Sequence, residues 1–185
     1  MTNPQRVLLV GFMASGKSSV GRELAPLLGW RFYDIDQVVE ERIGETVSTI
    51  FRIRGEEYFR RIESDVAAEL LAETSAVLAT GGGWPVQPGS WEIVPDLTMS
   101  VWLKVSCGVA VERASREGPV RPLLEGEESE TSVEALLQAR EASYARAQYS
   151  LDSERYDPRE LAGMILELLD RERDRATKDQ PQRNR

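Results

Sequence analysis

The chain has 185 residues, 41% of them apolar, which supports one buried core and, at this length, a single domain. With no histidine and one cysteine, Cys107, it has neither a histidine base, a zinc site nor an internal disulfide, and acid–base work falls to carboxylates, Lys, Tyr or water. A net charge of −8 speaks against nucleic acid as the partner, because such binding neutralises phosphates with basic surface.

In chain order, the apolar run Val7-Leu8-Leu9-Val10 reads as a buried strand, and Gly11-Phe12-Met13-Ala14-Ser15-Gly16-Lys17-Ser18 follows at once. This is the G-x-x-x-x-G-K-[ST] phosphate loop in its required strand-then-helix setting. Its backbone N–H groups and the helix start can face a phosphate chain, Lys17 can neutralise a terminal phosphate, and Ser18 can coordinate Mg²⁺. The helix from Lys17 to Leu28 carries Val20, Leu24, Leu27 and Leu28 on one side, with Pro26 expected to kink or shorten it.

Arg31-Phe32-Tyr33 reads as a short strand delivering Asp34 and Asp36 to a strand end, followed by helix to about Arg42. Asp34 and Asp36 are either site carboxylates or N-caps of that helix. Helix is expected again at about Thr46 to Ile53 and from Gly55 to about Leu71. In the second stretch Phe59, Ile62, Val66 and Leu70 form an apolar stripe. Glu63 falls within that stripe and Arg60 at its flank, so a structural ion pair and a substrate clamp both remain open.

Ala76-Val77-Leu78-Ala79 is a buried strand ending in Gly81-Gly82-Gly83, whose backbone a ligand hydroxyl or phosphate can approach. Met99 to Val105 is another strand, and helices follow at about Val109 to Arg116, Ser132 to Tyr149 and Pro158 to Asp170. The polar segment from Glu117 to Thr131 is a candidate lid, with Arg121 held extended before Pro122 as a possible charge-stabilising finger. Arg140 lies mid-stripe between Val133, Leu136, Leu137 and Tyr144, so an anionic group is expected to meet it. Residues 171–185 are almost wholly polar and are expected to form a flexible tail. Alternating strands and helices imply a parallel sheet covered on both faces.

The phosphate loop, Tyr33-Asp34-Ile35-Asp36, Phe51-Arg52 through Gly55-Glu56 to Phe59-Arg60 and Glu63, Gly81-Gly82-Gly83, Arg121-Pro122-Leu123-Leu124, and Arg140 with Tyr144 occur together in the order seen in shikimate kinase, a family the chain resembles to about residue 170. The resemblance implies an α/β P-loop fold of the nucleoside-monophosphate-kinase kind: a five-stranded parallel sheet flanked by helices, a substrate-binding region at about 34–62 and a mobile lid. It implies transfer of the γ-phosphoryl of ATP to the 3-hydroxyl of shikimate. Asp36 would then be the base, Arg60, Arg140 and the Gly82 backbone the substrate ligands, with Glu63 orienting Arg60. Gly11, Ala14, Ser15, Gly16, Lys17, Ser18 and Ser19 would hold ATP, with Lys17 and Arg121 stabilising the moving charge. Ser18 and Asp34 would hold Mg²⁺, and adenine would lie between Arg113 and the Arg155 to Pro158 segment. Ala14-Ser15 and Trp84-Pro85 depart from the residues usual in that family.

Gluconate kinase is the nearest alternative, but a histidine-containing substrate motif would be expected there and this chain has none. A nucleotide-binding module without catalysis would have no need of Asp36, Arg60, Arg121 and Arg140 together. No apolar run approaches the roughly 18 residues of a membrane span. The residues Met1-Thr2-Asn3-Pro4-Gln5 lack signal-peptide character, so a cytoplasmic monomer acting on small molecules is expected.

Overall fold

A computed structural model describes residues 3–116 and 130–178. Five strands form its sheet: β1 (Arg6–Val10), β2 (Arg31–Asp34), β3 (Ala76–Ala79), β4 (Thr98–Lys104) and β5 (Tyr149–Asp152). The order is β2-β3-β1-β4-β5, with every neighbouring pair parallel. Among the described residues six helices intervene: α1 (Lys17–Leu28), α2 (Ile35–Ile43), α3 (Val47–Leu71), α4 (Cys107–Arg116), α5 (Glu130–Tyr144) and α6 (Pro158–Lys178), with a 3₁₀ turn at Trp84–Val86. The expected fold class is the one found.

Why β1 reads as unbroken apolar sequence is clear from its two faces. Val7 and Leu9 pack with Val20 and Leu24 of α1 and Leu161, Ile165 and Leu169 of α6. Leu8 and Val10 pack on the other side with Val39 of α2 and Val66 and Leu70 of α3. Period-two alternation thus disappears because both faces are covered. A third cluster joins Phe12 and Met13 of the phosphate loop to Cys107 and Ala110 of α4 and Val133, Leu137 and Tyr144 of α5. Cys107 is a small buried member of that cluster.

Three expectations change in detail. Pro26 does not shorten α1, because it falls in the last turn, where its missing N–H costs one helical bond; the helix closes at Gly29 in the left-handed conformation. The two helices expected around Gly55 are continuous in hydrogen bonding, but Gly55 itself has φ 82° and ψ 166° and kinks α3 at the expected boundary. The helix expected to reach Tyr149 stops at Tyr144, and Tyr149–Asp152 instead forms edge strand β5 on β4. A half-buried run of four residues is too short to reveal its period in sequence.

The expectation of a flexible tail from residue 171 is also corrected. Helix α6 continues to Lys178, Ala176 is buried, and Glu172 accepts a hydrogen bond from the Tyr149 hydroxyl. A polar composition hid a helix whose one inward stripe anchors on β5. The expected lid lies outside the described residues from 117 to 129, and Arg121 lies there with it.

Gly55 occupies backbone space that residues with a side chain avoid, although a Cβ there would touch nothing within 4 Å. Its requirement is therefore conformational and not steric crowding. Gly55→Ala is expected to destabilise the fold by about 1–3 kcal/mol, read as a lower midpoint in urea unfolding with an unchanged slope.

Candidate active site

The carboxyl ends of the parallel strands open into a cavity of about 520 Å³. Its floor is the phosphate loop between β1 and α1, where Lys17, only 8% exposed, donates from Nζ to the carbonyls of Gly11 (3.0 Å) and Phe12 (2.7 Å) and to Ser15 Oγ (3.3 Å). Gly16, at φ 87°, is the N-cap of α1 and lines the cavity, and Ala14 is left-handed at φ 55°. A side chain at that φ is strained.

The two aspartates at the end of β2 have different fates. Asp34 is the N-cap of α2, its Oδ1 accepting from the N–H groups of Asp36 (3.1 Å) and Gln37 (3.5 Å), while Ser18 donates its hydroxyl to Oδ2. The cap residue thus also lines the cavity. Asp36, one residue into the helix, turns its carboxylate into the cavity, and its Oδ1 is buried without a partner. Burial first, then the charges of Glu63 and Asp34, push Asp36 up to about 7 against the opposing pull of Lys17 and Arg60.

Helix α3 supplies the next wall. Glu63 is fully buried, and its Oε2 accepts from Arg60 Nη1 (2.8 Å) and Gln87 Nε2 (2.7 Å). Its other oxygen, Oε1, has no partner, and burial raises this carboxyl despite the cationic neighbours Arg60 and Arg140. Arg60 also receives support from Glu56 at 3.1 Å and lies 5.6 Å over the Phe51 ring. The sequence left an ion pair and a ligand clamp open for Arg60 and Glu63. The pair exists, and both members line the cavity.

Three glycines after β3 form a wall beside the phosphate loop, and their lack of side chains has a steric reason. A Cβ on Gly81 would collide with Glu63 Oε1 and stand 2.7 Å from Asp36 Oδ1; one on Gly83 would meet the Arg60 guanidinium at 2.5 Å. Gly82 lies against the Met13 N–H, which a Cβ would approach to 3.3 Å. Tyr144, buried and pushed up to about 12 chiefly by that burial, donates its hydroxyl to the Gly82 carbonyl (2.6 Å) and accepts a bond from Arg140. Arg140 is 9% exposed, lines the same cavity and sits 5.9 Å over Phe12. The anionic partner expected for it is not a salt-bridge carboxylate among the described residues.

A second cavity of about 510 Å³ shares Gly16 and Ser19 with the first and is lined by Arg113, Arg155 and Pro158. Arg113 ties the phosphate loop to the end of β5, donating to the Ser153 carbonyl (2.6 Å) and the Ala14 carbonyl (3.4 Å). Gly11 and Ser15 face Lys17 from within the loop. Arg121, with Pro122, Leu123 and Leu124 of its motif, lies outside the described residues. The contribution of Gln87 had no signal in sequence, because a glutamine in a turn 24 residues beyond Glu63 matches no spacing rule.

The shikimate kinase family model matches residues 13–170. The chain belongs to the shikimate kinase family. The shikimate kinase of Moorella thermoacetica is 40% identical over 166 residues, covering 90% of this chain and 95% of that one, and the enzyme from Legionella pneumophila (strain Corby) is 39% identical, covering 89% and 94%. A solved structure of the shikimate kinase from Acinetobacter baumannii in complex with shikimate superposes with a TM-score of 0.85 at 36% identity, covering 90% of this chain and 93% of that chain. A gluconokinase from Sinorhizobium meliloti shares the fold at a TM-score of 0.62 and 19% identity.

One fully buried acid, Glu63, and one half-buried acid, Asp36, in the same cavity make a stability prediction. Because Asp36 and Glu63 are raised, the folded chain holds protons more tightly than the unfolded one. That advantage is full below the unfolded carboxylate range near pH 4 and is lost as pH rises through about 7. Asp36→Asn is expected to stabilise the ligand-free chain by about 1–3 kcal/mol at pH 8 and by little at pH 4, measured by urea unfolding at both pH values.

Proposed function

We propose that Asp36, Arg60 and Arg140 act together on shikimate while the phosphate loop holds ATP, so that the chain transfers the γ-phosphoryl group of ATP to the shikimate 3-hydroxyl in aromatic amino-acid biosynthesis. The observation that carries the reading is the convergence, across one cavity from Lys17, of two guanidinium groups and a carboxylate whose Oδ1 has no partner. Arg60 and Arg140 come from different helices and grip the substrate carboxylate, a planar anion suited to paired guanidinium donors. The Gly82 N–H, on a turn pinned by Tyr144, meets a ring hydroxyl.

With the substrate so anchored, the 3-hydroxyl points at Asp36 Oδ1, which accepts its proton as the oxygen attacks the terminal phosphorus. A carboxyl near neutrality suits this task, being largely ionised at pH 8 yet basic enough to take a proton during the transfer. Lys17 leaves the neutral carbonyls of Gly11 and Phe12 for the more strongly attracting phosphate oxygens. Arg121, outside the described residues, adds a second charge at the transferring group. Phosphoryl transfer demands positioning and electrostatic stabilisation above all, and these groups supply both.

Ser18 and Asp34 present adjacent hard oxygen donors at the start of α1, which suits Mg²⁺, an ion that keeps several waters and takes few protein ligands. Bound there with the nucleotide, Mg²⁺ supplies charge neutralisation of the phosphates. Ala14, Ser15, Gly16 and Ser19 line the phosphate path, with Gly11 shaping the loop. Arg113 and Arg155 flank the adenine in the second cavity. We place the protein in the cytoplasm as a monomer, a reading supported by one chain supplying every group named here. Among the described residues no helix is long and apolar enough to cross a membrane.

ADP release with Mg²⁺-ATP is expected to accelerate with shikimate and not with gluconate or nucleoside monophosphates; acceleration by gluconate alone overturns the assignment. Asp36→Asn is expected to lower kcat by about 10²–10⁴-fold, and the wild-type kcat/KM for shikimate to fall as pH drops below about 7. Arg140→Ala is expected to raise the KM for shikimate by about 10-fold or more while leaving that for ATP nearly unchanged, in steady-state kinetics with each substrate varied.

A further inference from the structure

Glu63 is a buried carboxylate whose two oxygens do different things, and the difference is imposed from outside α3. Its Oε2 accepts two hydrogen bonds, from Arg60 Nη1 at 2.8 Å and from Gln87 Nε2 at 2.7 Å, which leaves Oε1 unpaired against Gly81. Gln87 does not line the cavity. Its amide has a defined direction, because Ser64 donates its hydroxyl to Gln87 Oε1 at 3.1 Å, so the N–H₂ end must face Glu63. The backbone beneath it is equally held, with the Gln87 N–H donating to the Trp84 carbonyl (3.1 Å) and the Ser90 hydroxyl donating to the Gln87 carbonyl (2.8 Å).

We propose that Gln87 is a positioning residue for substrate binding: by donating to Glu63 Oε2 from the turn after the triple glycine, it fixes the carboxylate rotamer that aims Arg60 into the cavity. Arg60 alone would not do this. Its contact with Glu63 is three residues along one helix, and the guanidinium is also bonded to the exposed Glu56, toward which it could swing if Glu63 changed rotamer. The bond from Gln87 crosses from another segment and removes that freedom. It also couples the glycine wall to the arginine, so the two sides of the substrate site keep their separation.

The proposal rests on Arg60 binding the shikimate carboxylate. Steady-state kinetics on the full chain separates the two claims, using Gln87→Met, which keeps length and apolar stem but donates nothing. The expected result is a KM for shikimate about 10-fold higher, a KM for ATP within twofold and a kcat within about threefold of wild type. In a Glu63→Gln background the same change is expected to move the shikimate KM less than twofold, because the carboxylate it positions is gone. As a second variant, Gln87→Glu is expected to raise the shikimate KM more at pH 8 than at pH 6, where the opposed carboxyls can share a proton. A shikimate KM within twofold of wild type for Gln87→Met, an equal rise for ATP, or full additivity with Glu63→Gln overturns the role of Gln87. So does a pH-independent effect of Gln87→Glu. Failure of the wild-type chain to turn over shikimate overturns the underlying reading as well.

Discussion

Removing a carboxylate from water without giving each oxygen a partner is strongly unfavourable, and this chain does so twice within one cavity. Asp36 Oδ1 and Glu63 Oε1 both press against Gly81, and neither has a hydrogen bond. What makes the arrangement tolerable is the field of Arg60, Arg140 and Lys17, which reach the acids from α3, α5 and α1. No single element could assemble that balance. The parallel sheet does it by bringing the carboxyl ends of its strands to one edge, where helix starts and loops from distant parts of the chain meet.

Within that edge, environment divides labour between residues of the same type. Asp34 and Asp36 are two positions apart, yet one is satisfied by helix N–H groups and the Ser18 hydroxyl, and the other is half-buried with an Oδ1 that has no partner. Of the two, Asp36 is the one that its surroundings push up to about 7. Two carboxylates whose surroundings push them toward separate tasks are a general device for acid–base chemistry. The triple glycine follows from the same crowding, since Gly81 and Gly83 have site carboxylates and a guanidinium where a Cβ would stand.

The comparison with the gluconokinase shows how little of this the fold alone dictates. A sheet of the same kind can be superposed at 19% identity, so the architecture is shared while the side chains that line its edge are free to differ. Membership of the shikimate kinase family rests instead on a match running through almost all the described site, from Met13 to Asp170.

Those parts of the protein governed by neighbours along the chain were legible in sequence. The phosphate loop, both faces of β1, the break at Gly55 and the burial of Arg140 each follow from local spacing, because a helix turns and a strand alternates with fixed periods. Sequence placed Arg60 beside Glu63 but left ion pair and clamp undecided, and it left Asp34 undecided between cap and site. Only tertiary packing showed that the ion pair and the cap both form and that all three residues also line the cavity. The extent of α6 to Lys178, the short edge strand β5, the Tyr144 bond to Gly82 and the Gln87 bond to Glu63 were likewise decided in three dimensions. Their partners lie tens of residues away, and hydrogen bonds across such separations leave no periodic trace in the order of residues.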